Sequence, residues 1–274
     1  MNSRLKRSFV CCATVCCLAA ALAPSFAAKS ITVPSGKTKT IMQAMAKSAP
    51  GDTIWVEPGV YRERVIVNPG VALKSRRLYK AVINGSQRGV AVTLGKKATI
   101  SGFEIRNATV GVLAKSQGNA ITRCRIVQNW MTGIVCVRNL AKIEDNIIAF
   151  NRASGIQVYN VSVTTGTINH NTIAYNANHG IAVGHNSPVV IQNNIIAFNE
   201  RFGISAKSSQ KGVRIIGNSV YGNLIGSPPP PVDNSCIDPE FLSPHFKMDF
   251  TVMSGSLKNQ RGEDNEVPGI RALY

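Results

Sequence analysis

The chain has 274 residues, 44% of them hydrophobic, and carries 31 basic against 14 acidic residues for a formal net charge of +17. That is enough chain for one large core, and its seven cysteines show neither a CxxC pair nor zinc-ligand spacing, which excludes a disulfide scaffold and a structural zinc site. The positive excess favours polyanionic partners and is silent about the fold.

Residues 1–27 read as a secretory signal. Arg4, Lys6 and Arg7 form a basic start, 10–23 is an apolar run, and Ser25, Phe26 and Ala27 offer small residues for cleavage after Ala27. The run is too short to span a bilayer as a helix, so no transmembrane segment is expected. The expectation is an exported protein, periplasmic or extracellular. Without the signal, 28 basic residues face 14 acidic ones. Outside the cytoplasm the fitting polyanion is an acidic polysaccharide or an anionic cell surface, and no nucleic acid. Cys124, Cys136 and Cys236 remain, an odd number that leaves at least one unpaired within the chain.

Next in the chain, 38–50 places Ile41, Ala44 and Met45 at helical spacing before Pro50. This suits a short amphipathic helix laid over one end of the main body of the chain.

That main body is repetitive. Ile100, Ile121, Ile143, Ile168, Ile191 and Ile215 open six copies at intervals of 21 to 25 residues. Three positions on stand Phe103, Cys124, Asn146, Asn171, Asn194 and Asn218. Eight positions on stand Asn129, Asn151, Asn176, Asn199 and Asn223, with Asn107 one place early. Twelve on come Gly133, Gly155, Gly180 and Gly203, with Gly111 one early. Each copy holds three short apolar stretches bounded by Asn or Gly, too short for helices and patterned as strands. Three strands per copy with no helix between them make each copy one coil of a solenoid. Stacked Asn side chains would pass hydrogen bonds from coil to coil. The fold class is therefore all-β: a parallel β-helix of three sheets and about seven to eight coils, spanning 28–225 with its N-terminal capping helix.

GDTIWVEPGVYRERVIV (51–67), succeeded by IxxNxIxxN…GIxV coils, resembles the right-handed parallel β-helix proteins of the pectin-lyase-like superfamily over roughly 30–262. The resemblance implies a right-handed coil and a substrate cleft lined by the GIxV strand. Superfamily members include lyases, hydrolases, esterases and epimerases, so fold does not select the activity.

The repeat then serves as a ruler along that strand. Before each glycine stand Val110, Thr132, Ser154, His179 and Phe202; two after it Leu113, Val135, Gln157, Ala182 and Ser205; four after it Lys115, Val137, Tyr159, Gly184 and Lys207. NHGIAVG (178–184) is similar to the histidine segment of polygalacturonases, but the places where those enzymes need paired aspartates hold Thr132 and Ser154. A two-carboxylate hydrolase is excluded on that ground. Only Glu104, Glu144, Asp145 and Glu200 are acidic between 85 and 225, too few for a calcium cage of six or more oxygens. No cofactor is evident, calcium is poorly supported, and no metal ligands stand out. The chemistry left open is β-elimination or C5-epimerisation of a uronic acid, with Tyr159 and His179 as candidate catalytic groups and Arg152, Gln157, Lys207 and Lys115 as substrate-binding residues. Simple recognition of the polymer needs only the basic and aromatic strip. A structural envelope protein without glycan activity is the alternative.

One further column, Arg123, Asp145, His170 and Asn193, could form a charged line, and its spacing reads as a solvent-exposed cross-strand ladder. Finally, 226–274 opens with GSPPPPVDN, too proline-rich to continue the coils. It is expected to fold back as a C-terminal cap, with Asp238 and Asp249 as turn residues. The whole is expected to be a monomer.

Overall fold

The computed structural model describes residues 27–163, 166–206, 212–225, 234–253 and 255. Residues 1–26, nearly all of the stretch read above as a signal, lie outside them, as do Lys207 and nearly all of the proline run. Three parallel sheets wind into a solenoid of about eight turns. Sheet I has nine strands, from Ser30–Val33 to Val213–Ile216; sheet II has eight, from Gly59–Tyr61 to Ser219–Tyr221; sheet III has seven, from Val65–Val67 to Ile204–Ser205. At about 4.8 Å per strand the nine-stranded sheet is roughly 38 Å long.

The repeat register is the structural register. Ile100, Ile121, Ile143, Ile168, Ile191 and Ile215 are direct partners in sheet I. Inward columns such as Ile105, Ile126, Ile148, Ile173 and Ile196 of sheet II join them in one continuous buried core. Cys124 and Cys136 are buried free thiols in that core. Burial pushes them up to about 12 and about 11 respectively, so neither is a thiolate at neutral pH.

Two asparagine ladders stitch the coils. In one, the Oδ1 atoms of Asn151, Asn176, Asn199 and Asn223 each accept from the side-chain amide of the preceding coil's Asn at 2.9 Å. The other runs Asn146, Asn171, Asn194, Asn218 and Asn234, and starts from the backbone N–H of Cys124. Asn107 is not a rung. It sits in the left-handed turn position one place earlier, and Ala108 occupies the rung, donating its N–H to Asn129.

The expected helix is Ile41–Met45, opened by a Thr40–Gln43 capping box, with Ile41, Ala44 and Met45 buried. It is shorter than 38–50. The tail differs more from expectation. Asn234 adds a rung and Ser235 bridges Ser219. Then strands Phe241–Ser243 and Asp249–Val252, joined through the short helix Pro244–Lys247, lie against the outer face of sheet II. The described part of the tail thus covers a flank of the rod. Asp238 and Asp249 accept the backbone N–H of Glu240 and Thr251 at 2.9 Å, as turn residues do. No helix among the described residues is long and apolar enough to cross a membrane.

Candidate functional site

Two turns join the sheets by a residue in the left-handed region, and these turns decide what faces outward. Between sheets I and II the column is Gly102, Arg123, Asp145, His170, Asn193 and Gly217. It is the exposed ladder its sequence suggests only at Arg123, which is exposed: Asp145 is 7% exposed, and His170 and Asn193 are fully buried. Between sheets II and III the column is Asn107, Gln128, Phe150, Tyr175, Phe198 and Gly222. There Phe150, Tyr175 and Phe198 stack at 5.3 and 5.1 Å, and Phe241, His245 and Phe250 of the tail close over them. The sequence carries a signal for this stack, an aromatic before the rung asparagine in three successive copies, AFN, AYN and AFN.

The corner where the second turn enters sheet III holds the richest uncovered chemistry. Trp130 and Arg152 are neighbours on successive coils, with the guanidinium 3.8 Å from the indole centroid. This contact is cation–π in type. On the next two coils His179 and Phe202 stack at 5.6 Å. Four consecutive coils therefore present Trp, Arg, His and Phe in two columns of one corner, Trp130 and Arg152 two positions before the column of Ser154, His179 and Phe202. Thr132 Oγ1 donates to Gln157 Oε1 at 3.0 Å just inside it. Ser154 Oγ, Asn178 Oδ1 and His179 Nδ1 are sealed from water without a hydrogen-bond partner. Such groups each cost roughly 1–3 kcal/mol when left unsatisfied. Burial first, and the Arg201 charge second, hold the His179 imidazole below its ordinary value of 6.5. It is therefore neutral at pH 7. Glu200 shares the turn column of Arg152 two coils away.

The six residues singled out by sequence do not form one constellation. Arg152 and His179 belong to this corner, and Gln157 reaches it through Thr132. Tyr159 is exposed but pairs with Val137, five strand positions from the residue that aligns with His179. At about 3.3 Å per residue that is some 16 Å along the strand, so Tyr159 and His179 do not converge. Lys115 is exposed where sheet III leaves for the next turn, and Lys207 lies outside the described residues. Trp130 and Arg201 complete the corner and carry no repeat signal that would single them out. Among the described residues no three of His, Cys, Asp and Glu come together to hold a metal ion.

The sequence profile of the family described as "Right handed beta helix region" matches residues 88–228. No curated protein sequence matches the chain. Among solved structures, the pectate lyase Pel9A is similar at 16% identity and a TM-score of 0.54, covering 73% of this chain and 64% of its own. A mannuronic acid specific polysaccharide family 6 lyase from human gut microbiota is similar at 16% identity and a TM-score of 0.51, covering 70% of this chain and 53% of its own. At such identities the likeness is one of fold, and the chain spans less than two thirds of either enzyme.

Proposed function

The chain belongs to the right-handed β-helix family, and from that premise we propose that it is an exported protein that recognises an acidic polysaccharide along the corner between its second turn and sheet III. One observation carries the reading: Trp130, Arg152, His179 and Phe202 line that edge on four consecutive coils. A guanidinium pairs with a sugar carboxylate in bidentate fashion, and the flat faces of Trp130 and Phe202 suit the apolar face of a pyranose ring. A polymer lying along the rod meets one coil after another and gathers several weak contacts. The pectate lyase and the mannuronic acid specific lyase act, by their names, on polyuronates, which supports the substrate class.

Catalysis is the second reading, and a specific observation favours it. Burial and the Arg201 charge hold the His179 imidazole below its ordinary value, and Arg152 stands on the preceding coil two positions earlier in the turn. A neutral imidazole can take a C5 proton while a guanidinium neutralises the adjoining carboxylate; in β-elimination the C4–O bond then breaks and the imidazolium returns the proton to the departing oxygen, whereas in epimerisation water delivers a proton to the opposite face of C5. Tyr159 has no part in this version.

Binding of the protein lacking residues 1–27 to pectate, alginate and neutral glucans, at low and high salt, tests the proposal. Salt-sensitive binding to a polyuronate is expected, with Arg152→Ala and Trp130→Ala each lowering affinity about tenfold, roughly 1.4 kcal/mol, at unchanged Tm. No binding to any acidic glycan overturns it and leaves a structural envelope protein. Rising unsaturated-sugar absorbance that His179→Ala abolishes establishes the lyase reading.

A further inference from the structure

The positive charge is not spread along the rod. Residues 27–106 hold 14 basic and 4 acidic residues, 107–206 hold 7 and 3, and 207–274 hold 7 and 7. The four acids of the first section are all engaged by the fold. Asp52 accepts the N–H groups of Lys29 and Ala49 at 2.8 and 2.9 Å. Glu63 accepts those of Ile41 and Met42 at the start of the helix, at 3.0 and 2.9 Å. Glu104 is buried between Arg125 and Arg106, and Glu57 lies 3.4 Å from Arg76.

Three of the cations, Arg62, Arg64 and Arg88, lie at one corner. Arg62 and Arg64 flank Glu63 in the second turn of the first coil, and neither makes an ion pair among the described residues. Arg62 succeeds Tyr61 in the column of Asn84 and Arg106 on the outer face of sheet II. Gly89, at φ +56, lets Nη1 of Arg64 come within 3.1 Å of where its Cβ would be, so Arg64 lies against the turn that carries Arg88. Exposed aliphatic side chains flank these guanidiniums along the chain. Val60 precedes them on sheet II at 56% exposure, Ile66 comes after them on sheet III at 58%, and Met42 of the helix is 37% exposed beside Glu63.

We propose that this corner docks the protein onto an anionic phospholipid surface, with Arg62, Arg64 and Arg88 on the phosphates and Val60, Ile66 and Met42 entering the interface. A soluble polyanion would draw on the guanidiniums alone, whereas aliphatic side chains on either side of the cations match a headgroup layer with apolar depth beneath it. The corner lies at the first coils of the same second-turn edge, ahead of Trp130, and does not depend on what the Trp130–Phe202 stretch binds.

The test is co-sedimentation of the protein lacking residues 1–27 with vesicles of phosphatidylglycerol and phosphatidylcholine, against phosphatidylcholine alone, at low and high salt. The expected result is salt-sensitive binding to the anionic vesicles only. Arg62→Glu, Arg64→Glu and Arg88→Glu together should lower it about a hundredfold, at about 1 kcal/mol per cation near an anionic surface. Reversing Lys96 and Lys97, between sheets III and I, together with Arg138 in the sheet III strand Ile134–Asn139, makes the same change in net charge and should lower it far less. Val60→Ser with Ile66→Ser should weaken binding several-fold without altering Tm. Equal losses from the two triple reversals overturn the proposal in favour of diffuse attraction. Full competition by inorganic polyphosphate, with no effect of the aliphatic substitutions, overturns it in favour of a soluble polyanion. Binding to neutral vesicles alone overturns it as well.

Discussion

The outer face of sheet II is two surfaces joined edge to edge. Toward the C-terminus it offers Ile147, Ala149, Ala174, Ile195 and Ala197, all buried under Phe250, Phe241 and Val252 of the tail. Toward the N-terminus it offers Val60, Val82 and Asn84 with Arg62 and Arg106, and among the described residues the tail does not pack on Val60, Arg62 or Val82. Both halves share one strand geometry and one inward isoleucine column. What differs is the outward residue of each strand, and with it the fate of the face: apolar columns recruit the chain's own tail, while basic columns stay open to a partner. A solenoid can therefore assign a role to each coil without altering its core.

The sharpest way to break that contrast is to remove the covering contact. Phe250 is 3% exposed and packs on Val127, Ile147, Ala149 and Ala174. Phe250→Ala should cost about 3 kcal/mol and make the tail susceptible to protease. The counterpart Val60→Ala in the open half should change stability by less than about 0.5 kcal/mol. Denaturant melts of the two variants check this, and equal losses would mean that the open half is covered too.

The border between the halves offers a smaller effect. Glu104 is 5% exposed, bonded to Arg125 Nε at 2.9 Å with a second contact from the same guanidinium, and 3.3 Å from Arg106. Arg125 lies over the Tyr79 ring, whose hydroxyl burial pushes well above its ordinary value. Glu104→Gln keeps the shape and leaves two guanidiniums facing each other. Because both still reach water, the loss should be about 2 kcal/mol, less than for a fully buried pair. The loss should shrink as salt rises, which a melt series reads directly.

Much of this is legible in the sequence because the core repeats. Ile121 and Ile143 can be paired by counting, and so can the rungs from Asn146 to Asn218. The outer face is less legible, because outward residues carry no periodic constraint until something packs on them. Open ends need covering, so the sequence alone suggests a tail at the end of the rod; its place on sheet II depends on Phe241 and Phe250 meeting alanines and isoleucines that read as ordinary strand residues. The column of Asp145 and His170 looks exposed from spacing alone, because a left-handed turn is then indistinguishable from a strand end. The offsets of His179 and Tyr159, one before the glycine and four after it, already set them five positions apart. Counting coils brings them together, and counting along the strand separates them.

The smallest effect compares the two ends through acid. Backbone N–H groups of Ala49 and Lys29 hold the Asp52 carboxyl below its ordinary 3.8, and Thr251, through hydroxyl and backbone, does the same for Asp249 in the tail. A carboxyl whose folded value is depressed adds stability that is fully present above about 3.8 and is lost as pH falls through the lower folded value. Both ends should therefore loosen below pH 3.8, and neither between pH 5 and 7. Asp52→Asn should remove the acid-dependent part at the first coils, where Trp55 fluorescence reports it. Asp249→Asn should remove the part at the tail, where protease susceptibility reports it. If either substitution changes both readouts, the ends are coupled through the shared core, and the two halves of sheet II do not respond as separate surfaces.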